Sequence, residues 1–184
     1  SSALVAREGH SVIYESSGDQ ALVIVGDNTN NNILYTTWNG VEFSTNATQG
    51  VGNDFEFGRL TADPESDMIA LCYVDTDNDI GVLKWDGGVW TTAFTEIDTG
   101  GNADTARPVE CAFETSAGRS DYLMAVDSDT ADIRYRAATS TSWSTEVAVG
   151  TIQDSFWVQS ERAGDGTILT VTLDDGSDDL ESSF

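Results

Sequence analysis

The sequence predicts an all-β fold, a β-propeller of about four blades with one four-stranded antiparallel sheet in each, and three observations predict it. First, an acidic or amide residue followed by an aliphatic one recurs at Asn32-Ile33, Asp79-Ile80, Asp132-Ile133 and Asp179-Leu180, with the aliphatic positions spaced by 47, 53 and 47 residues. Second, further columns keep that register: ten residues after the first three aliphatics stand Phe43, Trp90 and Trp143, each followed by Ser44, Thr91 or Ser144. Five residues before those aromatics the column reads Trp38, Trp85 and Ala138, with the turn pairs Asn39-Gly40 and Asp86-Gly87 between. Third, every segment between turn signals has the length of a strand, and none carries the 3.6-residue apolar stripe of a helix.

Within a repeat the strands follow in order. The first is mixed in character: Ser11 to Glu15, Asp54 to Leu60, Val109 to Glu114 and Ser155 to Ser160. The second is a continuous apolar run, Ala21 to Val25, Met68 to Val74, Tyr122 to Val126 and Ile168 to Leu173. Strands buried on both faces read this way. The third alternates, as in Ile133-Arg134-Tyr135-Arg136, which predicts one packed face and one face reaching water. The fourth is predicted to begin at the aromatic and to run on through Ser/Thr-rich sequence such as Trp143-Ser144-Thr145-Glu146-Val147. A four-stranded antiparallel sheet of this size, repeated, is the signature of a propeller blade.

The chain of 184 residues is read as one domain, with repeats at about 10–49, 50–101, 102–150 and 151–184. Residues 1–9 resemble the start of a fourth strand, Ser1-Ser2-Ala3-Leu4-Val5-Ala6 matching Ser144-Thr145-Glu146-Val147-Ala148-Val149. Two readings stay open: this segment closes the last blade, or the chain is a slice of a longer array. Closure would remove open sheet edges.

Charge bounds the partners. The net charge of −24 comes from 32 acidic against 8 basic residues, a balance that repels phosphate, so nucleic acid is not an expected partner. The acidity suits either a solvated extracellular surface or adaptation to high salt. The longest apolar runs are too short to cross a bilayer, and the first residues lack the basic start and apolar stretch of a secretion signal. Cys72 and Cys111 lie far from any CxxC spacing; they read either as two buried thiols or as one disulfide between neighbouring repeats.

The segment Lys84-Trp85-Asp86-Gly87-Gly88-Val89-Trp90 resembles the Trp-Asp-Gly-x-x-Trp turn of repeat β-propellers in microbial surface proteins and, more distantly, the fucose-binding propeller lectins. The resemblance implies an extracellular or cell-surface module. In those lectins the pockets lie between blades and use an arginine, a glutamate and aromatic rings, the arginine in an Ile-Arg-x-Tyr strand; Ile133-Arg134-Tyr135 is similar to that strand. Leu34, Gly81 and Glu181 occupy the arginine's column in the other repeats, a departure from a repeated sugar site.

Three loops between second and third strands are acidic: Asp75-Thr76-Asp77-Asn78-Asp79, Asp127-Ser128-Asp129-Thr130-Ala131-Asp132 and Asp174-Asp175-Gly176-Ser177-Asp178-Asp179. Calcium takes six to eight oxygen ligands, and carboxylates at alternate positions can converge on one ion, so Asp75, Asp77, Asp79, Asp127, Asp129, Asp174 and Asp178 are the candidate Ca2+ ligands. The competing reading is local: Asp and Asn are the residues that tight hairpins prefer, and no loop completes an EF-hand. Trp38, Trp85 and Arg134 are the candidate ligand-binding residues, against a packing role for the tryptophans between blades. His10 is the lone histidine and no Gly-x-Ser-x-Gly elbow occurs, so no catalytic residue is assigned.

The functional expectation is a non-catalytic extracellular module for binding or assembly, its partner a glycan or an extracellular protein, with self-association left open. Two alternatives stand beside it: a glycan-binding lectin, and a glycoside hydrolase or lyase using acidic residues near the propeller axis.

Overall fold

The computed structural model describes residues 9–27, 30–90, 95–98, 107–114, 122–128, 132–138, 143–151, 155–174 and 180–183. These form fifteen strands and no helix. Sheet 1 contains β1 (His10–Tyr14), β2 (Ala21–Asp27), β3 (Asn32–Trp38) and β4 (Ala47–Gly50). Sheet 2 contains β5 (Phe55–Ala62), β6 (Met68–Asp75), β7 (Ile80–Asp86) and β8 (Thr95–Asp98). Sheet 3 contains β9 (Val109–Glu114), β10 (Tyr122–Ser128), β11 (Asp132–Ala138) and β12 (Val147–Thr151). Sheet 4 contains β13 (Ser155–Arg162), β14 (Ile168–Asp174) and β15 (Leu180–Ser183). Each sheet is an antiparallel meander in chain order. The four sheets follow one another along the chain, spanning residues 10–50, 55–98, 109–151 and 155–183.

The sheets stack face to face. Side chains alternate across a strand, so one parity of each sheet meets the next sheet, its front, and the other parity meets the previous one, its back. On β6 the odd positions Ile69, Leu71 and Tyr73 join Leu83 and Trp85 against Leu22, Ile24 and Ile33 of sheet 1. Its even positions Ala70, Cys72 and Val74 join Ile80 and Val82 against Val109, Cys111 and Phe113 of sheet 3. Ile133 of sheet 3 meets Val158 of sheet 4. The first strands run side by side through the stack, β1 near β5, β5 near β9 and β9 near β13. Between sheets 3 and 4 this contact becomes a parallel bridge, Arg107 to Trp157, with the Val158 amide donating to the Arg107 carbonyl at 2.9 Å.

Two cross-sheet devices reinforce the stack. Cys72 on the front of sheet 2 and Cys111 on the back of sheet 3 form a disulfide with a Cα–Cα distance of 5.8 Å, which settles the two cysteine readings in favour of the bridge. Phe55 of β5, fully buried, stacks on Tyr73 with ring centroids 5.8 Å apart and lies against Gly26 of sheet 1. The Tyr73 hydroxyl donates to the Val51 carbonyl at 2.8 Å, so the ring's polar end is satisfied inside the interface.

Two strand expectations need correction. The fourth strand does not begin at the aromatic: β4, β8 and β12 start four or five residues later, and each aromatic makes a single bridge, Trp38 to Phe43, Trp85 to Trp90 and Ala138 to Trp143. In sheets 1 and 3 the serine after the aromatic explains the gap. Ser44 Oγ accepts the Thr37 amide at 2.9 Å and Ser144 Oγ accepts the Ala137 amide at 3.1 Å, so a hydroxyl replaces a ladder carbonyl and the chain leaves the sheet for a few residues. The third strand also fails to alternate in sheet 2, where Ile80 to Leu83 and Trp85 are all buried, because sheets lie on both sides of it. Residues 1–8, read as a closing strand, lie outside the described residues.

Gly26→Ala tests the stack directly, because a Cβ there enters the Phe55 ring. The expected result is a loss of about 1–3 kcal/mol of unfolding free energy, read from denaturant midpoints at unchanged m-value.

Candidate functional site

The predicted site residues separate into different environments. Trp85 is 2% exposed and belongs to the core between sheets 1 and 2. Its Nε1 donates to Glu15 Oε1 of sheet 1 at 3.1 Å, and Tyr35 and Trp90 meet its ring edge-on at 5.6 and 5.5 Å. The ligand-binding assignment of Trp85 is therefore corrected: no face of the indole is open, and its role is packing with a satisfied polar handle. Trp38 stands in the same column of sheet 1 but on the back of that sheet, half-buried, with Phe43 beside it at 4.7 Å. Together with Val12, Tyr14, Ala21 and Val23 they line an open apolar trough of about 200 Å³.

Arg134 lies on β11, in the parity that Ala138 shows to be turned toward sheet 2. Its Nη1 donates to Glu146 Oε1 at 2.9 Å, and Arg136, two residues along, places Nη2 3.5 Å from Glu146 Oε2. All three side chains are roughly a quarter to a third exposed. Trp143 packs at the edge of the same seam, with Lys84 Nζ of sheet 2 over its ring at 5.6 Å. Two guanidinium groups, a carboxylate and an indole thus share one partly open seam between sheets 2 and 3. Glu146 carried no sequence signal, being one of 32 acidic residues and itself lying outside the repeat columns.

The acidic loop of sheet 2 is organised as a turn. Asp75 Oδ1 accepts the Asp77 and Asp79 amides at 3.0 and 3.1 Å, Asn78 adopts a positive φ of 66°, and Asn53 Nδ2 donates to Asp77 Oδ2 at 3.1 Å. Burial raises the Asp75 carboxyl above the ordinary aspartate range. These contacts match the local-turn reading. Among the described residues no three His, Cys, Asp or Glu side chains converge to hold a metal ion. Asp127 lies in β10 and Asp174 ends β14, whereas Asp129 and Asp178 fall outside the described residues. In sheet 1 the matching position is Asp27, also buried, whose Oδ2 accepts Asn30 Nδ2 at 2.8 Å. The sequence reading missed it because amides rather than acids fill that loop.

A carboxylate that sequence reasoning did not single out lies on the first strands. Glu110 of β9 is buried, and burial pushes its carboxyl up to about 7 although Arg59 Nη1 of β5 donates to its Oε2 at 2.9 Å. Arg107 is a further, weaker favourable charge, and its own guanidinium stacks on Trp157 at 4.2 Å. The group thus bridges sheets 2, 3 and 4 along their first strands. Its chemistry is that of a protonatable carboxyl with arginine for a neighbour, where glycoside hydrolysis uses two carboxylates.

The meandering sheets stacked front to back define a β-propeller architecture. No protein-family model and no curated protein sequence matches the chain. Among solved structures it is similar to the six-bladed β-propeller fucose-recognising lectin of Aleuria aurantia, at 14% identity over 97% of this chain with a TM-score of 0.65. It is also similar to a GH93 α-L-arabinofuranosidase of Fusarium graminearum, at 16% identity over 93% of this chain with a TM-score of 0.62. AofleA of Arthrobotrys oligospora follows at 12% identity over 98% of this chain, TM-score 0.60. The chain spans 58%, 59% and 57% of the lengths of these three proteins, respectively.

Glu110 gives a pH dependence with a definite sign. A carboxyl raised in the folded state binds its proton more tightly there than when unfolded, so stability is gained as pH falls from about 7 toward the ordinary value of 4.5, and lost as pH rises through 7. The full effect is on the order of 3 kcal/mol. Glu110→Gln, which imitates the protonated form, is expected to melt higher than the parent at pH 8.5 and to lose that advantage by pH 5; thermal melts across this range provide the check.

Proposed function

We propose that the chain is a non-catalytic, extracellular β-propeller module in which each sheet is one blade, and that it binds a glycan at the seam between sheets 2 and 3. The observation that carries the reading is the Arg134–Glu146–Arg136 cluster beside Trp143. Sugar hydroxyls are both donors and acceptors, so a carboxylate flanked by guanidinium groups can answer neighbouring hydroxyls. An indole supplies an apolar face for the ring. The solved structures similar to this chain include a fucose-recognising lectin and an arabinofuranosidase described with arabinobiose, which supports carbohydrate as the ligand class. The Cys72–Cys111 bridge supports an oxidising, extracellular compartment.

A second reading, a propeller glycoside hydrolase, is favoured by one observation only, the buried Glu110 with its carboxyl near 7 on the first strands. Such a group can serve as a general acid near neutral pH. Its pairing with Arg59 rather than with a second carboxylate favours the binding reading.

Titration against fucose- and arabinose-containing oligosaccharides, by calorimetry and in parallel by reducing-sugar release, separates the two. The expected result is binding without turnover, with Arg134→Ala and Glu146→Ala each weakening it about tenfold or more, the equivalent of about 1.4 kcal/mol, while Glu110→Gln leaves it unchanged. Turnover that Glu110→Gln abolishes would replace the first reading by the second.

A further inference from the structure

The back of sheet 1 repeats, in its central column, a surface that the other three sheets bury. Strand pairing aligns Val12, Leu60, Cys111 and Ser160 in one column, since their partners are Val23, Leu71, Ala125 and Thr170. Leu60, Cys111 and Ser160 are 8%, 2% and 7% exposed; Val12 is 64% exposed. In the neighbouring column Tyr14 is 60% exposed where Phe113 of sheet 3 is buried at 3% and Ala62 of sheet 2 is half-buried, while Arg162 of sheet 4 is exposed. Phe43, in the column of Trp90 and Trp143, is 62% exposed, whereas those two pack against sheet-to-sheet cores. Trp38 stands where Trp85 is enclosed. The described lining residues of this trough, Val12, Tyr14, Ala21, Val23, Trp38 and Phe43, are all uncharged in a chain of net charge −24. A neutral face is the one on which another strongly acidic body can settle at least electrostatic cost.

The opposite end of the stack presents the complementary half. On β14, Leu169 stands in the column of Leu22 and Ala70, and Val171 in the column of Ile24 and Cys72, the front-face positions that cover the backs of sheets 2 and 3. Leu169 and Val171 are half-buried, and among the described residues no further sheet lies on them. The first sheet's back remains exposed, so the chain's own fourth sheet does not cover it in this structure.

We propose that the back of sheet 1 is a docking face for the front of sheet 4 from a second copy of this chain, joining copies head to tail in the same front-on-back register that joins the sheets within one copy. The interface continues an established one: Leu169 and Val171 of one copy cover Val12, Tyr14 and Val23 of the next, as Ala70 and Cys72 cover Cys111 and Phe113. Such a contact is heterologous, so it extends or closes into a ring according to the rotation between copies. Because both bodies are acidic, association strengthens as salt screens their repulsion.

The internal bridge dictates the test. Val12 occupies the column of Cys111 and Val171 that of Cys72, so a chain carrying Val12→Cys and a separate chain carrying Val171→Cys should form a disulfide with each other under mild oxidation, seen as a covalent dimer on a non-reducing gel. Light scattering on the parent chain should show mass rising with concentration and with salt. Phe43→Asp, at an exposed position, should weaken that association tenfold or more without lowering the melting temperature. A parent chain that stays monomeric at every concentration, or mixed variants that never cross-link, would overturn the proposal. So would a cross-link within one chain carrying both cysteines, which would mean that the stack closes on itself. Quenching of Trp38 by a free monosaccharide, with no change in mass, would assign the trough to a sugar instead.

Discussion

A strand carries two faces of side chains, and in β6 every residue from Ile69 to Asp75 is buried, so both faces need a covering sheet. This double burial governs the rest of the molecule. It calls for sheets on either side of sheet 2, and it turns Ile80–Asp86 from an alternating strand into one buried on both faces. It also fixes where the polar devices can sit. The Trp85 indole must find Glu15 because no water reaches it, and the Tyr73 hydroxyl must find Val51 for the same reason. Glycine at Gly26 and Gly58 follows as well, since Phe55 occupies the space a side chain would take, its Cζ lying 2.6 Å from a Cβ built at Gly58.

The chain's scarce cations serve the same stack. Arg59 reaches from sheet 2 to Glu110 of sheet 3, Lys84 reaches from sheet 2 over Trp143, and Arg107 beside sheet 3 covers Trp157 of sheet 4. Each spans a sheet boundary, where partial desolvation makes a charge or a cation–π contact worth more than it is on an open surface. With these basic groups drawn into the seams, little positive charge is left to offset the rest of the chain's 32 acidic residues.

Much of the fold was legible because the repeat columns correspond to real pairings. The columns at Trp38, Trp85 and Ala138 and at Phe43, Trp90 and Trp143 are bridge partners across a turn, which is why they keep a constant spacing of five. Gly40 and Gly87 hold positive φ angles of 90° and 85° in that turn, as the Asn-Gly and Asp-Gly pairs suggest. What was not legible depended on contacts distant in sequence. Nothing local distinguishes Trp38 from Trp85; their burial differs because one lies on the back of the first sheet and the other between two. Nor could the sequence pick Glu146 or Glu110 from so many acids, because what marks them is an arginine on another strand. The loop aspartates illustrate the reverse case: Asp75 stood out by composition, yet its short hydrogen bonds are to amides of its own turn.

The same logic bears on where a ligand can act on such a molecule. In a stack held by double burial, the interior of each seam is committed to packing, and polar, partly covered side chains gather at the seam margins. The Arg134–Glu146–Arg136 cluster is placed at such a margin, with its anchor residue Ala138 buried two residues further along the same strand. Burial of Ile133 at one end of β11 and of Ala137 and Ala138 at the other therefore holds the strand in register, while Arg134 and Arg136 between them stay partly exposed. The sheet behind the cluster and the ion pairing within it hold these side chains in place, so a ligand of the kind proposed would meet them at a lowered ordering cost.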